Sequence, residues 1–231
     1  MIPWRFLWNE GDNLSIIDIR FRNDEAYLLK NHMVTLKGFS EQIAQISYNA
    51  VYEKYKLCKE ENGAERAQFP PINYVFYYSI FNNGQVLSPE CLIQEYFSMY
   101  HDMFIPDEDS GSVRYNGQLY FTDAIKGRIL RTYPSLVRDF HFFLMLVEER
   151  CFEQVIYSCK NDIQGKDIII KHNKKEYEIS LFVDTNRSNF FKIIKNCFRH
   201  KYKDSEIQVP LNLKVAKTCG DFFVYDESHI S

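Results

Sequence analysis

"GKDIIIKHNKKEYEISLFVDTNRSNFFKIIKNCFRH", residues 165–200, decides how this chain is read. Two runs of branched and aromatic residues, 166–172 and 177–184, flank Asn173-Lys174-Lys175. Branched apolar runs bounded by turn residues predict two strands joined in a hairpin. The stretch opens with an acid, Asp167, and carries a second, Glu178, on the other strand. In a hairpin these two carboxylates share a face only if the register allows it. The stretch then becomes basic and aromatic: residues 185–203 hold six Lys/Arg and no acid. A helix is predicted over 188–202, with Lys192, Lys195 and Arg199 spaced i, i+3, i+7 along one side.

Working outward, the strongest helix signal is "SLVRDFHFFLMLVEERC" (135–151). Leu136, Phe140, Phe143, Leu144 and Val147 make one apolar face, and Pro134 marks the start. A strand follows at 153–159. Short closing strands are predicted in 207–216 and 221–226. Upstream, 15–23 reads as a strand by alternation. Residues 39–63 read as one helix, capped by Ser40 and closed by Gly63. Tyr74–Phe81 reads as a strand ending in an Asn82-Asn83-Gly84 turn. Ser88-Pro89 opens a helix running to 104. Residues 105–112 are an acidic loop, and 113–122 a hairpin around Asn116-Gly117. The fold class is α/β or α+β, a mixed central sheet flanked by helices. The best boundary, 107–112, divides an N-terminal recognition or partner region, 1–112, from a core, 113–231; one continuous domain is the alternative.

Composition narrows the function classes. The chain has 231 residues and a net charge of −3, so it is no strongly basic nucleic-acid-coating protein. Charge is uneven, with 15 Lys/Arg against 20 Asp/Glu in 1–151 but 13 against 11 in 152–231. The C-terminal third is the better place for an anion. Six cysteines lack C-x-x-C or zinc-finger spacing and read as buried, reduced thiols of a cytoplasmic protein. No apolar run is long enough for a signal sequence or a membrane span. Nineteen Phe and 16 Tyr with nine Gly fit an aromatic core, and also offer surfaces for base stacking.

The motif order carries the chemistry. "VEER" (147–150), "GKDIII" (165–170) and "YEISLF" (177–182) put an acid on a helix, then Asp on a strand, then Glu on the next. This resembles the PD-(D/E)XK nuclease superfamily over residues 135–200. The resemblance implies a restriction-endonuclease-like C-terminal core and a metal-dependent nuclease, Mg²⁺ or Mn²⁺ being held by Asp167 and Glu178. Glu148 or Glu149 would be the accessory acid. It further suggests a restriction, anti-phage or mobile-element setting. Position 180, where the pattern has lysine, is serine, so a cation such as Lys192 or Lys195 has to reach in from the following helix. Acids near a helix C-terminus oppose its dipole, which makes Glu148 and Glu149 notable.

The basic stretch suits nucleic acid independently. Thr185, Arg187 and Ser188 precede the predicted helix, where N–H groups, hydroxyls and a guanidinium suit a phosphate. Lys192, Lys195, Arg199 and His200 would follow a phosphate backbone. The alternatives are a non-catalytic nucleic-acid- or protein-binding subunit using 188–203, with the N-terminal half meeting a protein partner, and a binder of a small phosphorylated ligand. The plain alternative is a turn acid, a solvated glutamate and an ordinary surface helix. His101-Asp102 on a helix point apart, His141 reads as a satisfied core histidine, and Cys197 with His200 lacks a third group for thiol catalysis.

Overall fold

The computed structural model describes residues 18–22, 28–29, 32–107, 110–149, 151–158, 167–185 and 206–230. Helix and sheet are mixed, as composition and pattern predict. The chain runs β1 (Asp18–Arg22), β2 (Leu28–Leu29), β3 (His32–Met33), α1 (Leu36–Ala44), α2 (Tyr48–Tyr55), a 3₁₀ segment (Cys58–Arg66), α3 (Ile72–Asn83) and α4 (Pro89–Met99). It continues through β4 (Ile105–Asp107), β5 (Ser112–Tyr115), β6 (Gln118–Phe121), α5 (Thr122–Glu148), β7 (Gln154–Ser158), β8 (Ile168–His172) and β9 (Lys175–Val183). β10 (Glu206–Leu211), β11 (Lys217–Cys219), β12 (Phe222–Val224) and a last 3₁₀ turn (Glu227–His229) close it.

The axis of the structure is α5, at 27 residues about one and a half times the predicted length. Pro134 lies inside it rather than before it. A proline inside a helix has no N–H for the carbonyl four residues back, here Leu130 O. Tyr48 on α2 replaces that donor: its hydroxyl donates to Leu130 O at 2.9 Å. Every residue from Phe140 to Val147 is buried, so this half of α5 is enclosed on all sides rather than on the one predicted face. It lies between β7 and β12 on one hand and the helices on the other.

Other predictions change as well, the acidic loop at 105–112 among them, since it holds β4 and the first residue of β5. Residues 39–63 are not one helix. Thr35, not Ser40, caps α1, its Oγ1 accepting from Gly38 N at 3.1 Å, while Ser40 sits inside and donates to Leu36 O. α2 is capped from far away: Asp221 Oδ2 accepts from Asn49 N at 2.9 Å. Gly63 does not close a helix but takes a positive φ of 72° within the 3₁₀ segment. Tyr74–Phe81 is helix, not strand, and Gly84 is its left-handed C-cap with φ 65°. That run is aromatic and apolar without alternation. Val75, Phe76, Tyr77 and Ile80 are all buried, so packing overrides β-propensity. Ser88 does cap α4, accepting from Cys91 N at 3.2 Å, and Asn116-Gly117 turn β5 into β6 with both φ positive.

The main sheet has the order β1-β7-β8-β9-β10. The first three pairings are antiparallel, and β9–β10 is parallel. The hairpin turn is Asn173-Lys174, with φ of 51° and 63°, and Lys175 already pairs with His172. Val155, Tyr157, Ile168, Ile170, Ile179, Val209 and Leu211 face the core. Ile169, on the other side of β8, is buried too. Burial on both faces explains the unbroken Ile168-Ile169-Ile170 run.

Tyr48→Phe leaves Leu130 O buried without its donor and should cost about 1–3 kcal/mol in urea unfolding. On a Pro134→Ala background the helix supplies its own N–H, and the same change should cost clearly less. Equal costs on both backgrounds would remove the proposed link between Tyr48 and Pro134.

Candidate functional site

The register across β8 and β9 sets the geometry of the two acids. Ile168 pairs with Ile179, and Ile169 with Glu178. One further step sets Asp167, just before β8, against Ser180. Directly opposed side chains in an antiparallel pair share a face, and alternate residues along a strand do as well. Asp167, Glu178 and Ser180 therefore fall on the side away from the core, with the two acids as diagonal neighbours. Asp167 Oδ2 accepts from Leu181 N at 2.6 Å, so its carboxylate also ends the β8–β9 ladder.

A third acid joins from β10. Glu206 pairs with Glu178 in the parallel register, and Ser180 Oγ donates to Glu206 Oε1 at 2.7 Å. Sequence reading missed Glu206; the available signal was an acid opening a strand just after the basic stretch. Asp167, Glu178, Ser180 and Glu206 are all half-buried. Among the described residues, no group of three or more His, Cys, Asp or Glu could hold a metal ion.

The parallel β9–β10 pair needs a crossover rather than a tight turn. The chain leaves β9 after Val183, level with Leu211, and enters β10 at Glu206, level with Glu178, so residues 184–205, which contain the basic stretch, return to the sheet beside these acids. Thr185 is exposed, and its N–H donates to Val183 O at 2.9 Å. Arg187, Ser188, Lys192, Lys195, Cys197, Arg199 and His200 lie outside the described residues.

Glu148 goes elsewhere. Its Oε1 accepts from Leu36 N at 2.7 Å, at the start of α1, where a carboxylate complements the helix dipole. α5 runs toward the Gln154–Lys171 end of the sheet, whereas Asp167 lies four residues, about 13 Å, back along β8. Glu149 is the exposed C-cap of α5. His101 and Asp102 do meet, at 3.1 Å, because α4 ends at Met99 and they lie in the following turn, largely exposed. Cys58, Cys91, Cys151 and Cys219 are free thiols, but Cys91 and Cys151 are exposed rather than buried.

Phe142 and Arg138 of α5 are buried. Phe142 packs on Tyr225 at 4.8 Å between centroids. The Tyr225 hydroxyl donates to Phe182 O at 3.4 Å and Val209 O at 3.3 Å, joining β9 to β10 from the core side. Burial, then the charges of Asp139 and Asp167, push the Tyr225 phenol well up, against the opposing pull of Arg138. No helix among the described residues is long and apolar enough to cross a membrane. The chain matches no protein-family model, no curated protein and no solved structure.

His141 is buried as predicted, but its Nδ1 has no hydrogen-bond partner. Burial, with the Lys217 charge adding to it, lowers its pKa from 6.5 to about 4. The unfolded chain then binds the extra proton between these values. Stability is fully present above pH 6.5 and falls as pH drops toward 4, by up to about 3 kcal/mol. Urea midpoints across this window should show the loss, and His141→Leu should flatten it. An unchanged slope in the variant would assign the acid sensitivity to other groups.

Proposed function

We propose that this chain is a metal-dependent nuclease-like protein acting on nucleic-acid phosphodiesters, with Asp167 and Glu178 as its metal-holding carboxylates. The observation that carries this reading is the β8–β9 register, which sets both acids on one sheet face. The element order also supports it. α5, β7, β8 with Asp167 before it, and β9 with Glu178 follow the order of the PD-(D/E)XK pattern, and a crossover then leads to β10. A restriction-endonuclease-like core is the corresponding reading of the fold.

The donors suit Mg²⁺ or Mn²⁺. Both are hard carboxylate oxygens, and Mg²⁺ commonly takes one or two protein carboxylates and completes its shell with water and substrate phosphate. The Asp167 carboxylate accepts from the Leu181 N–H through Oδ2, and Glu206 accepts from Ser180 through Oε1. A divalent ion held there supplies Lewis-acid stabilisation of the phosphodiester and a more acidic bound water. The chain's own contribution is orientation: the Leu181 N–H fixes the Asp167 carboxylate, and Ser180 fixes Glu206. In this reading Lys192, Lys195, Arg199 and His200 follow the phosphate backbone, Thr185, Arg187 and Ser188 hold a phosphate, and Lys195 serves as the cation near the reaction. A defence or mobile-element setting follows from the same resemblance.

One observation favours a second reading, a non-catalytic subunit that binds nucleic acid or a protein through 188–203. Ser180 occupies the lysine position of the pattern, and its hydroxyl is engaged by Glu206. Cleavage of mixed DNA and RNA with Mg²⁺ or Mn²⁺ separates the two. Asp167→Asn and Glu178→Gln should each lower cleavage by about 10² or more, the scale of removing one preorganised electrostatic group. Inactive wild-type protein whose nucleic-acid affinity and salt dependence fall in Lys192→Glu/Lys195→Glu would favour the binding subunit.

A further inference from the structure

We propose that β11 is an acid-released latch: a proton taken up by His141 lifts this strand off α1 while β12 stays docked on the helices.

His141 lies on α5 at 7% exposure, and its Nδ1 has no hydrogen-bond partner. A neutral imidazole tolerates that position. An imidazolium has two N–H donors to satisfy and a charge to hydrate. The packed elements give it little help. α1 brings Phe39, whose ring centroid lies 6.4 Å away, while its Lys37 and Glu41 are exposed and face each other at 3.9 Å. On α5 itself, Arg138 donates to Ser135, and Glu148, two turns on, is bound to Leu36 N. α3 and β7 meet this part of α5 with Tyr77 and Tyr157, which pack on Phe140 and Phe143. β12 carries Phe222, Phe223 and Val224, with no ionisable group. β11 brings Lys217, whose charge acts on His141 and opposes a second positive charge.

A buried group forced to ionise gains water through the least costly local opening. β11 is that opening. It has three residues, of which Lys217 and Thr218 are exposed and Cys219 is half-buried. Its hold on α1 is the Cys219 thiol donating to Ser40 O at 3.2 Å, a weak bond, and the close fit of the next residue, Gly220, against Ala44. β12 is anchored far better. Phe222 and Val224 are each 1% exposed, the Phe222 ring packs between Tyr48 and Tyr133, and Asp221 just before it caps α2. Lifting β11 therefore admits water to His141 and carries Lys217 away in one movement, at the cost of few contacts.

His141 titrates at about 4 when enclosed and near 6.5 when hydrated, so the open form binds the proton and gains population as pH falls. Opening should rise roughly 30-fold from pH 7.5 to pH 5. Hydrogen–deuterium exchange of the full chain reads this by mass spectrometry at both pH values, normalised to the intrinsic exchange rate at each. Protection in a peptide spanning 215–220 should fall by that factor, while peptides from 140–147 and 48–55 keep theirs. His141→Leu should abolish the fall. Lys217→Glu, a change at an exposed residue, puts a carboxylate beside the imidazolium and should cut the fall by at least about threefold. This second variant decides the matter should His141→Leu fail to fold. Protection of 215–220 that is unchanged by pH, or that falls as far in His141→Leu or Lys217→Glu as in wild type, would overturn the latch. So would protection lost from 140–147 or 48–55 in step with 215–220, since the acid response would then be unfolding of the whole helical layer.

Discussion

Pro134 stands in the middle of the helix around which everything else packs, and the carbonyl it leaves without a donor has to be satisfied inside the core. Tyr48 does so from α2. The same device recurs. Tyr96, Tyr100 and Tyr115 donate to Pro70 O, Pro71 O and Gln68 O, gripping one irregular loop, and Tyr133 donates to Leu87 O. Tyr225 does this for β9 and β10. A tyrosine fills core volume with its ring while its hydroxyl satisfies a distant carbonyl. Segments that cannot make regular ladders are thereby held at the same place as those that can. Six of the 16 tyrosines serve in this role.

The C-terminal hairpin links the helical layer to the sheet. Phe222 enters the cluster of Tyr48 and Tyr133, and Asp221 caps α2. Gly220, with φ 57°, lies so close to the end of α1 that a Cβ would come within 2.9 Å of Ala44. Five residues further on, Tyr225 reaches β9 and β10. These contacts align the parallel pair on which the acids lie. The Asp184 N–H donates to Leu211 O, which fixes the phase of the β9–β10 ladder. Pro210 then faces the free edge, where its missing N–H costs no ladder bond and discourages pairing with another chain.

The electrostatic character of the sheet end follows from these constraints. β9 is tied to β10 on the core side by Tyr225 and on the other side by Ser180 with Glu206. Acids on neighbouring strands repel, and the hydrogen bonds from the Leu181 N–H to Asp167 and from Ser180 to Glu206 offset part of that cost. Glu148, the acid nearest the end of α5, serves the start of α1 instead, where it improves the helix terminus. Position along the helix, rather than residue type, separates it from the site.

What local pattern alone determined is substantial. The β8–β9 hairpin, the Ser88-Pro89 helix start and the Asn116-Gly117 turn were legible because each rests on neighbours in the chain: an apolar alternation, a cap, a positive φ. So was the mixed class. The rest was decided in three dimensions. Reading Pro134 as a boundary was locally sound, and only a hydroxyl 86 residues away let the helix pass through it. The Tyr74–Phe81 run favours strand until the burial of Tyr74, Val75, Phe76, Tyr77, Ser79 and Ile80 makes helix the better packed state. Glu206 joins the acids through a parallel pairing. Its only signal in the sequence was an acid opening a strand, because non-local pairing brings together residues whose spacing along the chain carries no period.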